Sequence, residues 1–434
     1  MSERLSPTLC AYRLVTAAAI PLTPLLLSRR LKRGKELGAR LGERYGKTAI
    51  PRPPGPLVWM HGASVGELTS VFPLIERIRA QQVSVLVTTG TVTSAELAEQ
   101  RLPPGVIHQF VPLDVPRFVR RFFDHWQPDL VLFVESDLWP NRIIETAARG
   151  VPLILINGRL SESSFHRWRL VRGVSASLLR RFDLCLTRTP TDAERYDKLG
   201  APRVVNTGNL KLDVPAPPAS AATLAELKAA IGERTVIAAA STHPGEEAIV
   251  IDAHRRLRAS FPGLLTLVAP RHPERGPGIA EIAAAAGLQA ALRSRGQLPH
   301  ADTDIYVADT VGELGLLYRL TPIVFIGGSL ASHGGQNPIE AAKLGAAILH
   351  GPHVWNFAEI YQALDDGHGA EQVVDAGKLT VRIGAWLTDP AACTRVSEAA
   401  RATVDALGGA LERTLRALDP YLMQLRIQHR AGDA

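Results

Sequence analysis

From residue 56 onward the apolar positions fall into short runs of strand length, each followed by a stretch with helical spacing. Leu57–His61 precedes 65–80, the run 83–88 precedes 91–101, Leu130–Val134 precedes 140–149, and 153–156 opens a further unit. Continuous apolar runs suit strands buried on both faces, and their alternation with helices is the signature of βαβ units in a parallel sheet. The pattern stops at 213–223, where Pro and Ala dominate and a linker is expected. It resumes with 235–240, 265–269, 305–308 and Ile323–Ile326, and with helices near 246–259 and 277–287. The reading is an α/β chain with a first domain over 49–212, a second over 224–420 and a tail at 421–434. Two such halves predict a cleft, and ligands of open parallel sheets bind beyond the carboxyl ends of the strands.

The first 48 residues break this pattern. They hold ten basic residues (Arg4, Arg13, Arg29, Arg30, Lys32, Arg33, Lys35, Arg40, Arg44, Lys47) against Glu3, Glu36 and Glu43, so the whole net charge of +7 resides there. The charge-free run 14–27 contains Pro21 and Pro24 and falls short of the roughly 20 apolar residues of a spanning helix. No small-residue cleavage site closes it before the basic cluster, which argues against a signal peptide. A shallow anchor on an anionic membrane surface fits better. Without an aromatic platform beside the charge, nucleic acid is not an expected partner. Cys10, Cys185 and Cys393 are odd in number and far apart, which suits neither a disulfide framework nor a zinc site.

Candidate chemistry follows the predicted strands. After Leu57–His61 come Gly62, Ala63, Ser64, Val65, Gly66 and Glu67. Ser64 and Glu67 have capping-box spacing, and Glu67 could also take a proton from a hydroxyl. Glu135 ends the strand at 130–134 and could orient a sugar, stabilise positive charge or pair with an arginine. Lys211 stands just before the linker, either solvated or facing an anionic ligand. Ser241 or Thr242 is a ready N-cap after the strand at 235–240, at a helix start that could present N–H groups to phosphate. Arg271, after Pro270 and before His272, suits bidentate contact with phosphate or carboxylate. The densest segment is Gly327, Gly328, Ser329 and then 333–340. There Asn337 reads as N-cap, Pro338 and Ile339 as the first helical positions, and Glu340 either complements the helix dipole or accepts from ribose hydroxyls. This is neither a dinucleotide fingerprint nor a P-loop, and no metal-binding motif or nucleophile elbow is present.

Read in order, these motifs resemble the Kdo transferases, which attach 3-deoxy-D-manno-oct-2-ulosonic acid (Kdo) to lipid A precursors. The resemblance rests on His61–Glu67, Glu135–Asn141, 157–161 with Arg159, 208–211, 241–247, 270–275, 312–315, 327–329 and 337–340, and spans about residues 29 to 365. It implies a GT-B architecture of two Rossmann-like domains facing a cleft. It also implies CMP-Kdo as donor, a lipid A precursor of the lipid IVA type as acceptor, and residence at the cytoplasmic face of the bacterial inner membrane. No metal is expected, because the sequence offers no carboxylate cluster for one and has Arg, Lys and helix-start donors for phosphate. By the same resemblance Glu67 is the proton acceptor, Glu135 and Lys211 stabilise the transition state, and CMP is held by Pro270, Arg271, Val311, Gly312, Glu313 and Asn337 to Glu340. Asp137 stands where a second Glu is frequent in the family, and Val311 where Met is common. Two rivals share the two-domain layout: a sugar-nucleotide epimerase, which needs no basic apolar N-terminus, and a solute-binding protein, which needs no carboxylate base.

Overall fold

The computed structural model describes residues 5–432; Glu3 and Arg4 of the basic segment and the last two residues of the tail lie outside them. The chain forms two units, one running to Val214 and resuming at Gly408, the other Pro215–Leu407.

The first unit carries a parallel sheet of β1 (Leu57–His61), β2 (Ser84–Thr89), β3 (Ile107–Phe110), β4 (Leu130–Val134), β5 (Leu153–Gly158), β6 (Leu184–Thr187) and β7 (Val204–Asn206), in the order β3-β2-β1-β4-β5-β6-β7. The central strands β1, β4 and β5 are buried throughout because both faces are covered. Leu57, Trp59, Val131, Phe133, Leu153 and Leu155 point into one core, where Phe122, Phe123 and Trp126 fill the space. Val58, Met60, Leu130, Leu132, Val134, Ile154 and Ile156 point into the other.

The C-terminal helix Ala410–Gly432 completes that second core. Ala410, Leu415, Leu418, Leu422 and Leu425 pack with the strands of the first unit, and Asp213 accepts hydrogen bonds from the amides of Gly409 and Leu411. This corrects the boundary at 420 and the tail at 421–434. The helical spacing of 410–425 marks a face to be buried, but nothing local says against which sheet.

The N-terminal segment is also more structured than a bare anchor. Helix α1 (Pro7–Ala18), capped by Ser6, and helix α2 (Thr23–Lys32) meet at a 45° bend around Pro21. Leu9 enters the first core. Residues 36–47, which carry helix α3 (Leu41–Arg44), are folded into the unit: buried Glu36 pairs with Arg30 at 2.7 Å and Arg44 at 2.8 Å, and Arg44 donates to the carbonyls of Gly90 and Val111. Part of the basic cluster is therefore structural. Among the described residues no single helix is long and apolar enough to cross a membrane; the bent α1–α2 pair meets the length and composition for one.

The second unit has a sheet of β8 (Val236–Thr242), β9 (Leu265–Pro270), β10 (Ala290–Leu292), β11 (Ile305–Val307), β12 (Ile323–Ile326), β13 (Ala347–His350) and β14 (Ala370–Gln372), parallel and in the order β10-β11-β9-β8-β12-β13-β14. The linker is shorter than expected, since the helix Ala221–Ile231 begins inside it, capped by Ser220. The eight strands legible in sequence include all the central ones. The six others (β3, β6, β7, β10, β13, β14) are three or four residues long and lie at or next to a sheet edge, too short for a run to stand out.

Candidate active site

Helix α4 (Val65–Arg79) begins just beyond β1, with Ser64 as its N-cap. Glu67 lies in its first turn and is half-buried. The amide of Ala63 donates to Glu67 Oε2 at 2.7 Å, and the Ser64 hydroxyl donates to Oε1 at 3.0 Å. The carboxylate thus turns back over the glycine-flanked turn, and capping and a chemical role coexist in one geometry. Burial, and then the negative charge of Glu135, raise Glu67 to about 7; the hydrogen bonds from Ala63 and Ser64 oppose this, and Asp137 adds to it. A carboxylate poised there can take a proton near neutrality.

Glu135 follows β4 in the left-handed region, at φ +60. A side chain is held there only when its surroundings over-determine it. Its amide donates to Ile156 O, and its carbonyl accepts from the buried Tyr196 hydroxyl. Its carboxylate takes the Lys211 ammonium at 2.7 Å. Burial alone would raise Glu135, but Lys211, then Arg188 and Arg159, outweigh it and hold it below its ordinary range. Lys211 is therefore not a solvated lysine. It sits on the turn Leu210–Leu212 of the first unit, fixed where Asn157 Oδ1 accepts from Leu210 N. Gly66 lies against it: a β-carbon there would stand 4.0 Å from Lys211 Nζ.

One participant was not legible: Arg188 follows the short strand β6, which the apolar pattern does not reveal. Asp137, given no role in the sequence reading, joins buried His61, which also contacts Thr88, and accepts from Arg142 at 3.0 Å. Burial raises it, but His61 and Arg142 prevail and hold it at about 2. Arg142 also faces Asp114, which accepts from Tyr12 of α1 at 3.0 Å, while Asn141 donates to Thr16 of α1. A polar path thus links α1 to the loop beside Glu67.

In the second unit, Ser241 does not cap a helix. It is the penultimate residue of β8, at φ +56, and the helix Glu246–Leu257 opens later, behind the Pro244-Gly245 turn, with no side-chain cap. Thr242 instead donates to Glu247, which Arg275 also holds. The glycine-rich segment does not present its amides to a ligand either. The buried Glu246 carboxylate accepts from the backbone of His243, Gly328, Ser329, Leu330 and Ala331 at 2.7–3.1 Å. The protein's own carboxylate thus occupies the amides of 328–331. Gly327 is required by close approach, since a β-carbon would fall 2.6 Å from Ser241 O.

Pro270 closes β9, and Arg271 beyond it is exposed. Val311 is 86% exposed and Gly312 is left-handed. Glu313 is held by Arg293 at 3.0 Å and by Thr310, which together lower its pKa. Asn337 sits one position before the expected cap: the short helix Ile339–Lys343 follows Pro338, and Asn337 Oδ1 accepts from Ile339 N. Glu340 is consequently in its second position, within 3.2 Å of Asn337 Nδ2. Among the described residues no group of three or more His, Cys, Asp or Glu is arranged to hold a metal ion.

Residues 39–214 match the family described as 3-deoxy-D-manno-octulosonic-acid transferase. A 3-deoxy-D-manno-octulosonic acid transferase of Haemophilus influenzae is 34% identical over 88% of this chain and 91% of its own length. A probable mitochondrial one of Arabidopsis thaliana is 37% identical over 82% of each. Among solved structures, a glycosyltransferase of Rickettsia africae covers 86% of the chain and 99% of its own at 12% identity and TM-score 0.60, a likeness of fold alone. The two parallel sheets with their helices are of the GT-B type. With the family match, the full-length relatives and the ordered motifs in agreement, the chain belongs to the 3-deoxy-D-manno-octulosonic acid transferases, a family of glycosyltransferases.

Proposed function

We propose that this protein transfers Kdo from CMP-Kdo to a lipid A precursor of the lipid IVA type in lipopolysaccharide inner-core synthesis. The observation that carries the mechanism is the half-buried Glu67 carboxylate, raised to about 7 beside the Glu135–Lys211 pair. An acceptor hydroxyl attacks the anomeric carbon, and its proton passes to Glu67. The bond from that carbon to the CMP phosphate breaks, and CMP leaves with the electron pair. A single displacement inverts the anomeric configuration. Glu135 faces the positive charge of the sugar and Lys211 the negative charge of the leaving group as both develop. Donor binding is assigned to the second unit, through Pro270, Arg271, Val311, Gly312, Glu313 and Asn337 to Glu340. No metal enters this scheme, because cationic side chains meet the phosphate.

The acceptor is a lipid, and the α1–α2 surface supports a place for the enzyme at the cytoplasmic face of the inner membrane. Leu14, Val15 and Leu22 are 71%, 67% and 64% exposed, Leu25 and Leu26 about half so, and Arg29, Lys32 and Arg33 close α2. Apolar and cationic groups together suit an anionic interface. The deciding experiment follows CMP release from CMP-Kdo with and without a lipid A precursor. Release that depends on the lipid, with a Kdo-bearing lipid product, is expected. Release without lipid would point to hydrolysis and sink the transferase assignment.

A further inference from the structure

Three histidines meet in the second unit. His243 follows β8, His272 follows β9, and His333 lies in the loop beyond β12. His243 and His333 stack with ring centroids 4.2 Å apart and 20° between planes, and His272 stands edge-on to His243 at 6.1 Å. His243 is buried, whereas Arg271, His272 and His333 are exposed. Gln336 Nε2 lies 3.1 Å from His243 Nε2. An amide nitrogen only donates, so this ring nitrogen accepts and the ring proton is placed on Nδ1. Arg271 adds its charge to the group, as felt at His243. The carboxylates nearby are largely committed elsewhere: Glu246 to five backbone amides and Glu247 to Thr242 and Arg275, while Glu274 is 3.8 Å from His272.

We propose that His243, His272 and His333, beside Arg271, bind the carboxylate of the transferred sugar and make the donor site selective for acid sugars. This rests on the donor reading above and deepens it. In an activated 2-ulosonic acid the anomeric carbon bears both the phosphate oxygen and the carboxylate. Two anionic groups therefore sit on one carbon, and a single guanidinium serves one of them bidentately. A second set of donors is needed within a few ångströms, and the rings beside Arg271 supply N–H groups there. Stacking on a buried ring holds the exposed His333 in place, so less freedom is lost when the ligand arrives. A neutral sugar nucleotide offers nothing to these donors and gains nothing from them, which is how the site would discriminate.

The test uses the full chain with His333→Ala, His272→Ala, the double variant and His243→Gln, their folding checked by thermal melting. Binding of CMP and of CMP-Kdo is measured by calorimetry without acceptor. The double variant is expected to lose about 10-fold or more in CMP-Kdo affinity, the loss of a hydrogen bond to a charged group, while CMP stays within about 2-fold. Equal losses for both ligands would move the cluster to the phosphate, and unchanged affinity for both would remove it from the site; either result overturns the proposal. Because no lipid is present, the result stands apart from the transferase assignment. A wild type that binds CMP-Kdo yet makes no lipid product sinks that assignment alone.

Discussion

Glu67 has two consequences that a cap without chemistry would not have. As a base it works only when ionised, so kcat/KM should rise with pH to a plateau with its midpoint near 7. Glu67→Gln should abolish that limb and lower the rate by about 10²- to 10⁴-fold. The same group acts on stability. Its folded pKa is raised above the ordinary carboxylate value, so its contribution is fully present below about 4.5 and is lost as pH rises through about 7. Melting of Glu67→Gln at pH 5 and pH 8 should therefore show a smaller decline with pH than wild type. A variant with wild-type activity would leave Glu67 as a cap only. Asp137 provides the second residue-scale prediction. It is one of the charges that raise Glu67, so Asp137→Asn should move the acid limb of the rate profile to lower pH. A limb that stays in place would show that the charge is not felt at the base. The motif placed Glu67, Glu135 and Lys211 in sequence, but their mutual effects depend on positions up to 76 residues apart in the chain, which no local window contains.

At the scale of elements, the N-terminal helices divide into buried and exposed parts. Arg30 and Arg44 serve Glu36 and should not be counted with the membrane-facing charge. Replacing Arg29, Lys32, Arg33 and Lys35 by Gln should weaken flotation with anionic vesicles, by about 1 kcal/mol for each charge near the surface, and make the remainder less salt-sensitive. Flotation with wild-type salt response would place attachment elsewhere on the protein. The C-terminal helix gives the fourth prediction. Leu418 is fully buried against the first unit, so Leu418→Ala should destabilise that unit by about 2–5 kcal/mol in urea unfolding. CMP binding, assigned to the other unit, should persist at denaturant concentrations that unfold the first. Loss of CMP affinity without loss of first-unit stability would contradict this division. The edge strands illustrate the limit of pattern at this scale. β7 and β14 have three residues each, and only their neighbours in the sheet make them strands.

For the whole molecule, the phosphate-facing groups assigned above are cationic side chains, so transfer should continue in EDTA once CMP-Kdo is supplied preformed. Activity lost in EDTA and restored by magnesium would require a metal in the donor site. The sequence by itself determined the alternation of buried strands and amphipathic helices, the break between two halves, the order of the motifs and the location of the net charge. These follow from local composition, since a strand buried on both faces must be apolar along its length. Tertiary structure decided the rest. It returned the last helix to the first unit and directed Glu246 onto the glycine-rich amides. It drew Arg44 onto Glu36 and joined Lys211 to Glu135. Periodicity reports that a face will be buried, and a charge must find a partner when it leaves water. Which face and which partner are settled by the order of strands in the sheet, and that order brings together residues the chain keeps far apart.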